Sequence, residues 1–307
     1  VHVTAGGQLQ HGQQAGSLHV DARIADAMGT ATLQQAVVKF DPLPVALVDL
    51  LASQNGKLVS LLGETMSVTF DATPKEKGRI AFKADAESAR FKLKGSGTYL
   101  ADESVSFNEG AGLALNLSPQ SFAALQGDAA AWRLLSPATI TIALTQANLG
   151  LPAGDLRTMQ LAANVNCDEL QLQRVENRQS YLIKKISASL DAADPAKSMR
   201  FKVNADLVSE AGSGQVRSDT TISNALDEQG AFSLTRAVIR TKTQTDPLPS
   251  SLVIAMLQME ADYAEMIGPT TTLSLIGQYP GNLDLDLQGA NTQASARMTF
   301  DAKRTMT

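Results

Sequence analysis

The sequence predicts a mainly β protein: a curved antiparallel β-sheet or groove of about a dozen strands, with two long amphipathic helices and one short helix, internally duplicated. Three observations carry this. Most of the chain alternates apolar and polar residues with period two, which sets apolar side chains on one face of a strand. Two stretches, DPLPVALVDLLASQNGKLVSLLG (Asp41 to Gly63) and DPLPSSLVIAMLQMEADYAEMIG (Asp246 to Gly268), break that alternation with helical spacing. They stand in gapless register, 246 − 41 = 205 positions apart.

The clearest strands are SVTFD with Val68 and Phe70, RIAFKA with Ile80 and Phe82, and RFKLK with Phe91 and Leu93 against Lys92 and Lys94. TITIALT offers Ile140, Ile142 and Leu144; FKVNADL offers Phe201, Val203 and Leu207; LDLDLQG sets three leucines against Asp284 and Asp286. Weaker strands are expected over residues 18–24, 31–40, 105–117, 182–190, 215–223 and 232–243, separated by turn sequences such as ATPKEKG, DAADPAK and YPGN. The pattern is that of an antiparallel meander with one wet face.

In the first DPLP stretch, Pro44 is a natural first helical residue, and Leu47, Val48, Leu51, Leu58, Leu61 and Leu62 share one side. Gly63 is placed to close the helix in a left-handed cap, and QNG at 54–56 is a point of bending. In the second copy Pro249 starts the helix and Gly268 ends it. Its stripe is Leu252, Val253, Met256, Met259, Tyr263, Met266 and Ile267. A shorter helix is expected at SPQSFAAL, with Ser118 as N-cap and Phe122 and Leu125 inward.

The repetition extends beyond the helices. ARIADA at 22–27 matches TTISNA at 220–225, and SARFKLK from Ser88 matches SARMTFD from Ser295. The spacing is too long for common solenoid repeats and points to a duplicated strands-helix-strands module. Residues 1–200 are read as the first module with its extended meander and 201–307 as a second, truncated copy.

Apolar content of 44% is enough for a real core, while 19% charged residues and a net charge of −5 give no basic stripe for a nucleic-acid backbone. With 5% aromatics there are few stacking platforms for bases, so nucleic acid is excluded as the expected partner. No run of about 18 apolar residues is present to form a membrane helix. The chain opens on VHVTAGG rather than on a leader and is read as a segment of a longer protein. The one cysteine, Cys167, is in phase with Leu161, Ala163 and Val165 and reads as a buried structural thiol.

About a dozen strands at ~4.8 Å spacing make a sheet more than ~50 Å wide, against ~10 Å for a helix. Three helices cannot cover its apolar face. Either the sheet folds on itself as a filled sandwich, or it leaves an open trough that takes up apolar ligands. Composition does not separate these alternatives.

The paired DPLPxxLV helices ending in Gly63 and Gly268, the strands with Ser, Thr and Asn on their wet side, and the passage LSPQSFAAL…LLSPATITIAL from Leu117 to Leu144 resemble bacterial AsmA-like, TamB-like envelope proteins over essentially the whole chain. The resemblance implies a long β-groove with an apolar lining, located in the periplasm or cell envelope and passing phospholipid between membranes. It also implies membrane anchoring through a segment not present here. Together these give a preferred reading of non-enzymatic binding or conduction of lipid acyl chains along an apolar β-groove. The expected lining is Val68, Phe70, Ile80, Phe82, Phe91, Leu93, Ile140, Ile142, Leu144, Phe201 and Val203. Expected partners are phospholipid or another acyl-chain ligand, with further repeats of the same chain or envelope proteins beside it. The alternative is a structural or interaction β-sandwich with a filled core, acting as a spacer in an envelope assembly.

Residues for catalysis are sparse. All three histidines, His2, His11 and His19, fall near the start without a cysteine or carboxylate cluster, so no metal site and no Ser-His-Asp arrangement is expected. Asp284 and Asp286 could bind a cation, but alternating with leucines they read as a solvated face. The GSG tripeptides at 95–97 and 212–214 do not open a phosphate loop. No cofactor and no catalytic residue is assigned.

Overall fold

The computed structural model describes residues 1–25, 32–100, 104–107, 110–126, 131–150, 155–176, 178–209, 212–233, 235–256 and 262–301. The chain divides into two units, Val1–Ala130 with Pro137–Ala153, and Ala131–Ser136 with Gly154–Thr307. The fold is mainly β, with 19 antiparallel strands and few short helices among the described residues.

In the first unit β1 (His2–His11), β2 (Gln14–Ala25), β3 (Thr32–Pro44), β4 (Thr65–Pro74), β5 (Ile80–Ser88) and β6 (Phe91–Tyr99) form a meander, each pairing with the next. The strands β7 (Ser104–Ser106) and β8 (Ala111–Leu117) share the next position, and both pair with β6 and with β10 (Ala138–Gly150). In the second unit β9 (Trp132–Leu134) pairs with β11 (Gln160–Arg174), which pairs with β12 (Ser180–Asp194). The meander continues through β13 (Ser198–Ser209), β14 (Gly212–Ser223) and β15 (Val238–Thr245). There β15 and the short β16 (Leu248–Pro249) share one position beside β17 (Thr270–Tyr279), followed by β18 (Gly281–Gly289) and β19 (Gln293–Phe300).

The ladders repeat in register between the two units. Across the first, Ala5, Val20, Val38, Phe70, Ala84 and Gly95 stand opposite one another in turn. Their counterparts are Val203, Ser218, Thr243, Leu275, Leu285 and Ala296, also opposite one another in turn. The offsets are 218 − 20 = 198, 243 − 38 = 205 and 285 − 84 = 201. The SAR sequence match at 295 − 88 = 207 is out of step with this ladder. Ser88 corresponds instead to Gly289, at the start of a hairpin turn.

The helices are shorter than the sequence pattern suggests. The first DPLP stretch forms α1 (Val45–Leu51) and α2 (Lys57–Leu62), separated by Ser53, Asn55 and Gly56 with positive φ. Asp49 turns inward at this corner, and its buried carboxylate accepts from the backbone N–H groups of Gly56 (2.5 Å) and Leu58 (2.7 Å). Leu51, expected in the apolar stripe, ends α1 and is 86% exposed. Leu47, Val48 and Leu58 are half-buried. After α3 (Pro119–Gln126), the second copy gives α4 (Ser250–Met256) and α5 (Tyr263–Ile267). Leu252 and Val253 are buried there and Tyr263 is exposed, while the Met256 side chain and all of Met259 lie outside the described residues.

Both copies are tied down by the same bonds. Val45 N–H donates to Glu64 (2.9 Å) and Ser250 N–H to Pro269 (3.0 Å); Gly63 and Gly268 N–H close the helices on Val59 and Ala264. Both glycines have positive φ with extended ψ rather than a left-handed helical cap, in a region open essentially to glycine alone. In α3 the Ser118 hydroxyl accepts from Ser121 N–H as the expected N-cap, but Leu125 is exposed and Ser121 is the buried residue.

The main buried cluster is Tyr181, Leu207, Leu248, Leu252 and Val253, flanked by Trp132, Ile183, Val216 and Leu287. It sits where α4 covers one end of the second unit's strands. Beside it the Ser250 hydroxyl is buried without a hydrogen-bond partner among the described residues, whereas its first-copy counterpart is the fully buried Val45. Ser250→Val is therefore expected to stabilise the fold by about 1 kcal/mol, read as a rise in urea midpoint, because an unmet hydroxyl is removed.

The apolar faces as a candidate functional site

Antiparallel pairing with period-two alternation gathers the apolar side chains of the first unit on one face. One rung runs Gly7, Leu18, Phe40, Val68, Ala86, Leu93, Leu113 and Ile142; the next ends in Phe70, Ala84, Gly95, Ala111 and Leu144. Phe91 and Ile140 both face Leu115, Phe82 faces Gly97, and Ile80 faces Tyr99. The nine expected lining residues from Val68 to Leu144 thus share one face. Phe201 and Val203 belong to the corresponding face of the second unit.

Burial on this face is graded. Met66, Leu117 and Ala138 are buried at the end that carries the helices. There Arg90 and Ser121 both donate to Ser60 (2.8 and 2.6 Å), tying α2 to α3. Away from that end many rung residues are only half-buried, and Phe70 and Val203 are 40% and 38% exposed, although Gly97 in the first unit and Ala192 in the second are buried. Phe70 stacks on Phe82 (centroids 5.6 Å apart), and Phe107 meets Phe82 edge-on at 5.7 Å.

The opposite face is polar. Thr69, Asp85 and Lys94 form one of its rungs and Asp71, Lys83 and Ser96 another. These residues line a shallow cavity of about 780 Å³. Lys94 pairs with Asp85 at 3.2 Å, and Asp71 accepts from the neutral amide of Gln35 at 3.0 Å. His19 lies on the same face, and His2 meets Asp21 at 2.7 Å. Among the described residues no three metal-ligating side chains converge.

In the second unit Arg297 and Arg200 hold the Asp284 and Asp219 carboxyls below their ordinary range, and Gln215, then Lys185, do so for Asp206. Stability from these pairs is present above the ordinary carboxylate pKa and is lost as pH falls through the lowered folded values. The urea midpoint is expected to hold down to about pH 4 and then decline. Because the pairs are exposed and screened, the decline should be shallow and greater at low salt than at high salt.

The second unit's apolar face carries one feature that alternation alone did not mark. Ser218, Thr220, Thr241 and Thr243 stand where the first unit has Val20, Ala22, Ala36 and Val38. Their hydroxyls bond one another, Ser218 to Thr243 at 2.8 Å and Thr220 to Thr241 at 2.9 Å, so a polar patch interrupts the apolar rungs with its bonding largely satisfied. The signal was four hydroxyl residues in phase with Phe201 and Val203. Cys167 is buried, and burial pushes its thiol pKa up. A thiol reagent is expected to label it far more slowly in the native protein than in denaturant. Fast native labelling would mean that β11 opens readily.

No protein-family model matches this chain, and neither the curated proteins nor the solved structures contain a match.

Proposed function

We propose that this chain binds lipid acyl chains along the apolar faces of its sheets, without enzymatic chemistry, and that it does so in a bacterial cell envelope. The observation carrying the reading is partial burial: beyond the residues that the helices cover, Phe70, Leu93 and Ile142 in the first unit and Phe201 and Val203 in the second stay half-buried or exposed. The first unit's rungs cross eight strand positions, about 34 Å of continuous apolar surface at ~4.8 Å per strand. Each methylene laid on it would contribute at most about 0.8 kcal/mol, so an acyl chain held over part of its length suffices for stable binding. The polar faces, with their ion pairs, stay in water. The resemblance to AsmA-like envelope proteins supports phospholipid as the ligand class and the envelope as the location.

Native mass spectrometry after gentle purification tests this. Retained phospholipid is expected, lost when a detergent competes. Protein that is lipid-free at every stage, and takes up none from vesicles, would favour a spacer whose faces are covered by partner proteins.

A further inference from the structure

We infer that the polar face of the second unit holds a binding site for an uncharged saccharide, on the opposite side of the sheet from the acyl-chain surface and independent of it. Two rungs build the site. Gln244, Ser274, Asp286 and Ser295 stand opposite one another in turn across β15, β17, β18 and β19, and Thr272, Gln288 and Gln293 form the next rung. Both rungs line a cavity of about 370 Å³, within the size range of small-ligand sites.

The first unit shows what these positions hold when the face serves only as a wet surface. At offsets of 274 − 69 = 205 and 286 − 85 = 201, its matching rungs are Lys39, Thr69, Asp85 and Lys94, then Ser67, Glu87 and Lys92. There the charges close on one another, Lys94 on Asp85 and Lys92 on Glu87, each at 3.2 Å. In the second unit Gln or Ser replaces every Lys and the Glu of these rungs, and only the Asp is kept. Asp286 therefore stands without the cation that its counterpart has. Among the described residues the side chains of Gln244, Ser274, Asp286, Gln288, Gln293 and Ser295 make no hydrogen bond or ion pair within the chain. One rung further along the same face, Ile276 is 41% exposed where the first unit has Asp71.

The chemistry of this set selects its ligand. Three carboxamides and two serine hydroxyls both donate and accept, Asp286 accepts only, and no Lys or Arg lines the cavity. A phosphate or carboxylate would meet Asp286 with no cation beside it, and an ammonium would use the acceptors alone. Sugar hydroxyls use both: adjacent hydroxyls donate to the two Asp286 oxygens while the glutamine amides donate to sugar oxygens, as charge-assisted and neutral hydrogen bonds respectively. Ile276 offers an aliphatic surface to the C–H face of the ring.

The labelled chain, applied to an array of neutral, anionic and amine-bearing oligosaccharides, tests this. Selective retention on neutral glycans is expected. The combined variant Gln244→Lys, Gln288→Glu, Gln293→Lys and Ser295→Lys restores the first unit's side chains in a register that already accepts them. It is expected to melt as the parent does and to bind at least about tenfold more weakly. Gln293→Ala, a single change at an exposed position, is expected to weaken binding about threefold to tenfold and keeps the test decisive if the combined variant does not fold. No retention on any neutral glycan, or unchanged retention by a folded variant, would overturn the inference. Retention confined to anionic glycans would overturn it as well, and retention confined to amine-bearing glycans and abolished by salt would overturn the ligand class in favour of an ammonium.

Discussion

Ile142→Asp is expected to leave the sheet folded and to abolish acyl-chain loading. Ile142 is half-buried on β10, opposite Leu113, in the rung that runs through Leu93, Ala86 and Val68. On a face open to water a carboxylate there keeps much of its hydration and costs about 1–2 kcal/mol; in a sealed core an unpaired charge costs several kcal/mol and unfolds a marginal protein. The same carboxylate sits in the path of any acyl chain laid across the rungs. Circular dichroism melting and extracted lipid, measured on one preparation, separate the two cases. Loss of lipid with a retained melting transition is the expected result. Loss of the fold would contradict an open face.

The second large effect is expected from Gly214→Ala and its counterpart Gly16→Ala. Each glycine passes against the DPLP turn of its own copy: a Cβ at 214 would overlap the Pro247 carbonyl, and one at 16 the Pro42 carbonyl and Pro44 Cδ. The obstacles are mostly backbone, pinned on either side by ladder bonds, so no side chain can simply rotate away. Each substitution should cost about 3 kcal/mol, lowering the melting temperature by roughly 5–10 °C. Gly7→Ala, with nothing within 4 Å of its added Cβ, serves as the control and should be neutral or slightly stabilising.

The fold class was legible because alternation is a local signal; the number of strands was not. Thirteen-residue β3 and β10 looked like shorter strands, and the expected strand at 105–117 divides into β7 and β8. The strands β1, β17 and β19 carry Gly, Gln, Thr and Ser where apolar residues would have marked them.

The DPLP repeat was legible because both copies keep a 205 offset through strand, helices and strand. The flanking registers were hidden by length changes outside it: 205 − 198 = 7 residues more between β14 and β15, and 205 − 201 = 4 fewer between β17 and β18. The false SAR match persists because its error, 207 − 201 = 6, is even, and an even shift leaves period-two alternation in phase.

The long helices were overdrawn for a different reason. Leu51 continues the stripe in sequence, but Ser53, Asn55 and Gly56 take positive φ and Asp49 caps the new start, so the chain turns before the next helical residues. Of the candidate lining, alternation placed the residues from Val68 to Leu144 on one shared face of the first unit. It could not place Phe107 against Phe82, which depends on how β7 and β8 share one position, nor the hydroxyl patch, whose meaning appears only when its strands are paired.

The most direct measurement places a photocrosslinking amino acid at Phe70, an exposed aromatic member of the apolar rungs, and separately at Lys83 on the opposite face of the neighbouring strand. After illumination with phospholipid vesicles, the Phe70 variant is expected to gain the mass of a lipid through its acyl chain, and the Lys83 variant to gain none. No lipid adduct at Phe70, or equal adducts at both positions, would contradict acyl-chain binding on the apolar face.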